Sequence, residues 1–198
     1  MTRQAVVKTP AVMTVEEFLA WDGGGHVGKL ELVEGAVRAL APASATHAVI
    51  QLNIGSAIKN HLRAGKSPCR AGTEAPIVPP LGKRVNARAP DVSVTCSPPA
   101  SDGTFVDPVL IVEVMSPSNE ADTWESINAL AGLQTLQEVL VVHSTRVEAQ
   151  VYRRDKLGPW LGQPETAAAG GTVVLKSIGL ELSVDEIYQG TLLDTGGA

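Results

Sequence analysis

Glu113 and Asp91 are the residues whose types and surroundings point most directly to chemistry. In the run Pro108–Met115, one strand face would carry Val109, Ile111, Glu113 and Met115, so Glu113 has apolar neighbours on both sides. Burying an isolated carboxylate costs several kcal/mol, so Glu113 needs a basic partner, a proton or a metal ion. An arginine partner would make it structural; a metal or a proton would make it a ligand or an acid–base group. Asp91 lies 22 residues earlier, after Pro90, at the entry to a second β-like run. That separation suits neighbouring strands joined by a surface loop. Two ionised carboxylates ~4 Å apart repel by about 4 kcal/mol at an effective dielectric of 20. A divalent cation removes that repulsion, and all-oxygen ligands favour Mg²⁺ or Mn²⁺ over zinc. Alone, Asp91 also reads as a turn or capping residue; the pair says more than either member.

The elements that must position this pair follow in order. Thr14 and Glu17 form a capping box, with Met13 and Phe18 at the staple positions, for a short helix that ends before Gly23-Gly24-Gly25. Lys29–Leu40 reads as a hairpin turning at Glu34-Gly35. Ser44 caps a second helix to about Ala64, with Ile50, Ile54, Ala57 and Ile58 on one stripe, His47 and His61 at its ends, and Gly65 as its stop. Strand patterns cover Pro68–Cys96, with Asp91, Ser93 and Thr95 on one face and Val92, Val94 and Cys96 on the other. Pro108–Met115 is apolar enough to be covered on both faces. A helix is expected over Asn119–Gly132 with Trp124, Ile127 and Ala131 on one stripe, then strands at Glu138–Val142 and Val147–Tyr152. A Gly/Ala-rich loop, a weak last strand at Thr172–Lys176 and a Ser183/Glu186 capping box close the chain. The order predicts an α/β (α+β) fold with a mixed central sheet flanked by helices. One domain is expected over 13–190, with tails at 1–12 and 191–198.

Pro90-Asp91-Val92-Ser93-Val94 followed by Ile111-Val112-Glu113-Val114-Met115-Ser116-Pro117-Ser118 resembles the core signature of the Uma-type (Uma-two) restriction-endonuclease family, within the PD-(D/E)XK nuclease superfamily. Met13–Leu19, Leu30–Gly35, His47 and Gln137–Val142 match it as well, so the resemblance runs from about Met13 to Tyr188. It implies a restriction-endonuclease-like core and a DNA substrate. It also implies a Mg²⁺ or Mn²⁺ ion on Asp91 and Glu113 that polarises the scissile phosphate and activates a water. Glu31 matches the family's early acid and would complete the metal site; by itself it also reads as an exposed hairpin carboxylate. A homodimer is compatible with the resemblance.

One position departs from the pattern. The superfamily lysine two residues after the second acid is Met115 here, and the helix from Asn119 to Asn128, where Uma relatives often carry it, has no lysine. Ile127 and Asn128 stand nearest that slot. Asn128 can orient a water but supplies no charge; Arg88 supplies charge but is a poor base. His47 is another candidate base, although a helix N-terminus disfavours its charged form; packing or hydrogen bonding is its other reading. The resemblance then implies a slow endonuclease, or a degenerate member that binds nucleic acid or a protein partner without cutting.

Charge and composition set the outer bounds. At 198 residues, 44% hydrophobic and 19% charged, the chain is neither disordered nor too small for a core. A net charge of −5 excludes coating nucleic acid by bulk charge. Yet Lys59, Arg63, Lys66, Arg70, Lys83, Arg84 and Arg88 fall in one segment against Glu74 alone. Of these, Lys59, Arg63, Lys83, Arg84 and Arg88 are the candidate DNA contacts. Cys69 and Cys96 match no zinc spacing and read as two reduced thiols. The first residues lack the apolar run of a secretory signal, and no stretch nears the ~18 apolar residues of a bilayer span. A cytoplasmic protein without membrane contact is the expectation.

Overall fold

Ile111, Glu113 and Met115 alternate with Leu110, Val112 and Val114 along β5 (Pro108–Met115), which lies at the centre of the molecule. The structure is a computed structural model that describes residues 12–26, 28–154, 160 and 162–194. The expected N-terminal tail, apart from Val12, and the last four residues of the expected C-terminal tail lie outside the described residues.

Six strands form the central sheet in the order β3-β4-β5-β6-β7-β8. These are β3 (Arg70–Gly72), β4 (Val92–Thr95), β5, β6 (Glu138–His143), β7 (Glu148–Arg153) and β8 (Glu165–Ala168). Only β5 and β6 run parallel, joined through α3 (Glu120–Leu130); every other neighbouring pair in this sheet is antiparallel. The sheet is therefore mixed, as the sequence predicts.

Two layers cover it. On one face α2 (Ala45–Ala64) buries Ile50, Ile54, Ile58 and Leu62 against Val92, Val94, Leu110, Val112 and Val114. Each such side chain contributes roughly 1.5–3 kcal/mol on burial. Ser44 caps this helix by accepting the His47 N–H at 3.2 Å, and Gly65 ends it. The hairpin of β9 (Thr172–Leu175) and β10 (Leu180–Ser183), with α4 (Val184–Tyr188), completes that layer. On the other face α3 packs Ile127 and Leu130 over Ile111, Met115, Val139 and Val141.

A second hairpin, β1 (Leu30–Val33) and β2 (Ala36–Ala39), docks on the segment before β4, where Leu32 and Ala87 exchange backbone hydrogen bonds of 2.9 and 3.0 Å. Its turn needs positive φ at both Glu34 (51°) and Gly35 (82°), the signature of a tight two-residue hairpin turn. α1 (Val15–Ala20), with its Thr14/Glu17 capping box, buries Val15 beside Met13, Leu32 and Ala87.

Four expectations are corrected. β8 lies where the sequence reads as a Gly/Ala-rich loop, because pairing with β7 holds Glu165–Ala168 extended despite weak strand propensity. The closing strand is a hairpin rather than one segment. Ser183 caps α4 through the Asp185 N–H at 3.2 Å, not through a box with Glu186. The two thiols are paired: β3 and β4 run in a register that sets Arg70 opposite Thr95, and one step outward Cys69 meets Cys96 in a disulfide. Among the described residues no helix is long and apolar enough to cross a membrane.

Candidate active site

β4 and β5 pair with Val92 opposite Val112, so one step further Asp91 stands opposite Glu113 at the end of the ladder. Both are buried. The Asp91 Oδ2 accepts the Val114 N–H at 2.7 Å, while the Asp91 N–H supports the Glu113 carboxylate. These backbone bonds fix the two carboxyl groups at one spot, as their spacing predicts.

The hairpin brings two more groups. Lys29, just before β1, places its Nζ 3.1 Å from Asp91 Oδ1 across 62 residues of sequence. Glu31, buried in β1, accepts from the Ala89 N–H at 3.0 Å on Oε1 and from Arg88 Nη1 at 3.3 Å on Oε2. It is not the exposed hairpin carboxylate of the alternative reading: it is buried, and Arg88 and the Ala89 N–H hold its two oxygens. His47, held at the start of α2 by Ser44, lies with Nε2 3.3 Å from Asp91 Oδ2. Gln51, one turn further, donates to the Asp91 carbonyl at 2.9 Å.

Electrostatics separate these groups. Burial pushes the Glu113 carboxyl well above its usual range; Asp91 and Glu31 push the same way, and Lys29 only partly opposes them. For Asp91 burial also acts upward, but the His47 hydrogen bond, the Lys29 charge and the Val114 N–H outweigh it and hold its carboxyl low. Burial of Lys29 favours its neutral form; Glu113, Asp91 and Glu31 overcome that and raise it, so it stays an ammonium. Two fixed ion pairs result, Lys29–Asp91 and Arg88–Glu31, and Glu113 is the carboxylate left over. It has no arginine partner among the described residues; a proton or a cation must balance it.

A cavity of about 30 Å³ adjoins the acids, lined among others by Lys29, Glu31, Glu113, Asn119, Thr123 and Ser126. The last two are buried hydroxyls on the inner face of α3, rotated from the expected Trp124–Ile127–Ala131 stripe; Trp124 instead stacks edge-on to Tyr152 at 5.4 Å. Ser126 Oγ has no hydrogen-bond partner among the described residues. The space suits a water rather than an organic ligand.

The donor set fits a hard divalent cation. Two carboxylates on neighbouring strands supply oxygen ligands, and no cage of three or more His, Cys, Asp or Glu closes around the spot among the described residues. Mg²⁺ is usually held in this way, by one or two carboxylates with waters and substrate phosphate filling the rest.

Other sequence candidates lie elsewhere. Asn128 is exposed on α3 and does not line the cavity beside the acids. Arg88 is buried, its guanidinium between Glu31 and Glu125 (3.0 Å), and so faces no phosphate backbone; its burial follows from neutralising Glu31. Arg38 extends that chain of charges to the surface through Glu125 at 2.9 Å and Asp122 at 3.2 Å. Lys59, Arg63, Lys83 and Arg84 are exposed, but Lys83 and Arg84 sit on the loop beside α1, where the Arg84 carbonyl accepts the Val15 N–H at 2.9 Å. Lys29 was missed because no local pattern links a lysine before one hairpin to an acid on a distant strand. The signal that could have flagged it is negative: a buried acid pair with no lysine on its own strand or helix.

Comparison with known proteins agrees with this fold. The family model Uma2, described as "Putative restriction endonuclease", matches residues 15–185. An uncharacterised protein of Synechocystis is 36% identical over 181 residues, which cover 90% of this chain and 92% of that protein. The crystal structure of a protein from Anabaena variabilis, described as a "putative nuclease belonging to DUF820", superposes with a TM-score of 0.68 over 89% of this chain and 97% of the other, at 19% identity. That likeness is one of fold.

Proposed function

Because this chain belongs to the Uma2 family, we propose that it is a divalent-metal-dependent DNA endonuclease, with Asp91 and Glu113 as metal ligands and Lys29 in the role of the missing lysine. The observation that carries this reading is the Lys29 ammonium 3.1 Å from Asp91 in a site that also holds Glu113 and a water-sized cavity. It also removes the main argument for a non-cutting member, the absence of any lysine from β5 and α3.

When bound, Mg²⁺ or Mn²⁺ supplies charge on a phosphoryl oxygen and a more acidic water. The protein's own groups do the rest. Asp91 and Glu113 would hold the ion, and Glu113 would give up its proton to do so, so affinity would fall as the pH falls. Lys29 remains protonated, so it is a donor rather than a base. It orients the attacking water and offsets the charge that builds on phosphate. His47 donates from Nε2 to Asp91 Oδ2 and thereby holds the carboxylate in place; it is a positioning residue. Arg88 and Glu125 do the same for Glu31.

Supercoiled plasmid incubated with the protein and Mn²⁺ tests the reading. Wild type should nick it, EDTA and Asp91→Ala should abolish nicking, and Lys29→Met should slow it by ~10²–10³, the usual loss for one preorganised donor. DNA binding without cleavage by wild type under all these conditions would overturn it.

A further inference from the structure

Away from the acids, two cavities of about 290 and 430 Å³ lie along α2 and meet at Lys59, which lines both. The first begins at Gln51, the residue that donates to the Asp91 carbonyl, and passes Leu52 and Ser56. The second is bordered by Arg63, Lys66 and Arg70. Leu52, Ser56, Lys59 and Arg63 follow one another at four- and three-residue steps, so they form one stripe on α2. Leu52 is 66% exposed, and Lys59, Arg63 and Lys66 are exposed too. Among the described residues none of these three cations makes an ion pair with an acid. Arg70 is fixed at the sheet edge: it donates to the Ser97 and Pro98 carbonyls and stacks 4.9 Å from the Phe105 ring.

We propose that this groove between α2 and β3 is the track along which the sugar–phosphate backbone of duplex DNA runs to the acid cluster. It rests on the endonuclease reading and says where that substrate lies. Unpaired cations on a chain of net charge −5 create a local attractive field. From Gln51 to Arg63 the helix covers roughly 18 Å at 1.5 Å per residue, about five nucleotide steps of 3.4 Å. Lys59 and Arg63 are four residues apart, about 6 Å along the helix, or roughly two such nucleotide steps. Leu52 and the small residues Gly55, Ala71 and Gly72 leave the floor open to the sugar edge. The Lys83/Arg84 loop belongs to the α1 and hairpin layer and does not line the groove.

Fluorescence anisotropy with a 20-base-pair duplex in EDTA, across a series of salt concentrations, decides it. Lys59→Gln/Arg63→Gln/Lys66→Gln should weaken binding at least tenfold at 0.1 M salt. It should flatten the log–log salt slope by roughly 0.9 for each phosphate contact removed. Glutamine is used because glutamate at a helix C-terminus would itself disturb α2. Lys83→Gln/Arg84→Gln should bind like wild type. The track is overturned if the triple variant keeps the wild-type affinity and slope, or if the Lys83/Arg84 variant carries the loss. In either case plasmid nicking by wild type would leave the endonuclease reading standing. A wild type that neither binds the duplex nor nicks plasmid overturns both.

Discussion

Burial raises the Glu113 carboxyl, so its protonation sets how stability depends on pH, and a metal ion bound there as proposed would compete with that proton. The folded chain holds this proton more tightly than the unfolded chain does, because burial and the neighbouring acids raise the carboxyl well above its usual range. Its contribution to stability is therefore full below about pH 4.3 and is lost as the pH rises through the elevated pKa. Asp91 works the other way: its carboxyl is held low, so its stabilisation is present above about pH 3.9 and is lost as the pH falls. Glu113→Gln removes only the first effect. In metal-free buffer at pH 7.5 it should melt above wild type, because it removes a buried carboxyl that is costly to ionise. The difference should vanish near pH 4. Adding Mn²⁺ should reverse the order, because only wild type keeps both ligands. A variant less stable than wild type at pH 7.5 without metal would show that the lost attraction for Lys29 outweighs the relief of a buried charge.

At the scale of elements, the β1–β2 hairpin is the arm that delivers Lys29 and Glu31. Its turn depends on Gly35, whose φ is 82° and where a Cβ would stand 2.6 Å from Val12 Cγ1 and 3.3 Å from the Met13 carbonyl. Gly35→Val should cost roughly 1–3 kcal/mol through backbone strain. It should also lower kcat for plasmid nicking more than it raises KM, although Gly35 touches no reacting group, because it loosens the register that places Lys29. Equal nicking by a variant that has lost stability would mean that Lys29 is positioned by its ion pair alone. The hairpin itself was legible, since Glu34-Gly35 between apolar alternations is a local signal. So were both ends of α2, from Ser44 and Gly65, and the face of β5 that carries Glu113. Where the hairpin docks was not legible. The Leu32–Ala87 bridge and the Lys29–Asp91 contact join residues far apart in sequence, and nothing local encodes them. Arg88 was misplaced for the same reason: its partners, Glu31 and Glu125, come from two other elements.

For the molecule as a whole, the disulfide separates stability from chemistry. Cys69–Cys96 joins residues 27 apart at the end of the β3–β4 ladder, whereas Asp91 lies before β4 begins. Four strand residues lie between the acid and Cys96, so five steps, roughly 16 Å, separate the cross-link from the acid. Closing a loop of this length restrains the unfolded chain by about 3–4 kcal/mol in the chain-entropy account. For a chain of this size that is roughly 6–16 °C in Tm. Dithiothreitol, or Cys69→Ser with Cys96→Ser, should lower the melting temperature by an amount in that range. The β4–β5 pairing that sets Asp91 opposite Glu113 does not pass through the sulfurs, and a loss of about 3–4 kcal/mol is smaller than the ~5–15 kcal/mol usual for native proteins. Reduced protein should therefore nick plasmid at the wild-type kcat, with any change confined to KM, because Cys69 and Arg70 border the groove proposed for the DNA backbone. A fall in kcat on reduction would mean that the sheet edge and the acid pair move together. An unchanged melting temperature would mean that the denatured chain gains little freedom when the bond is cut.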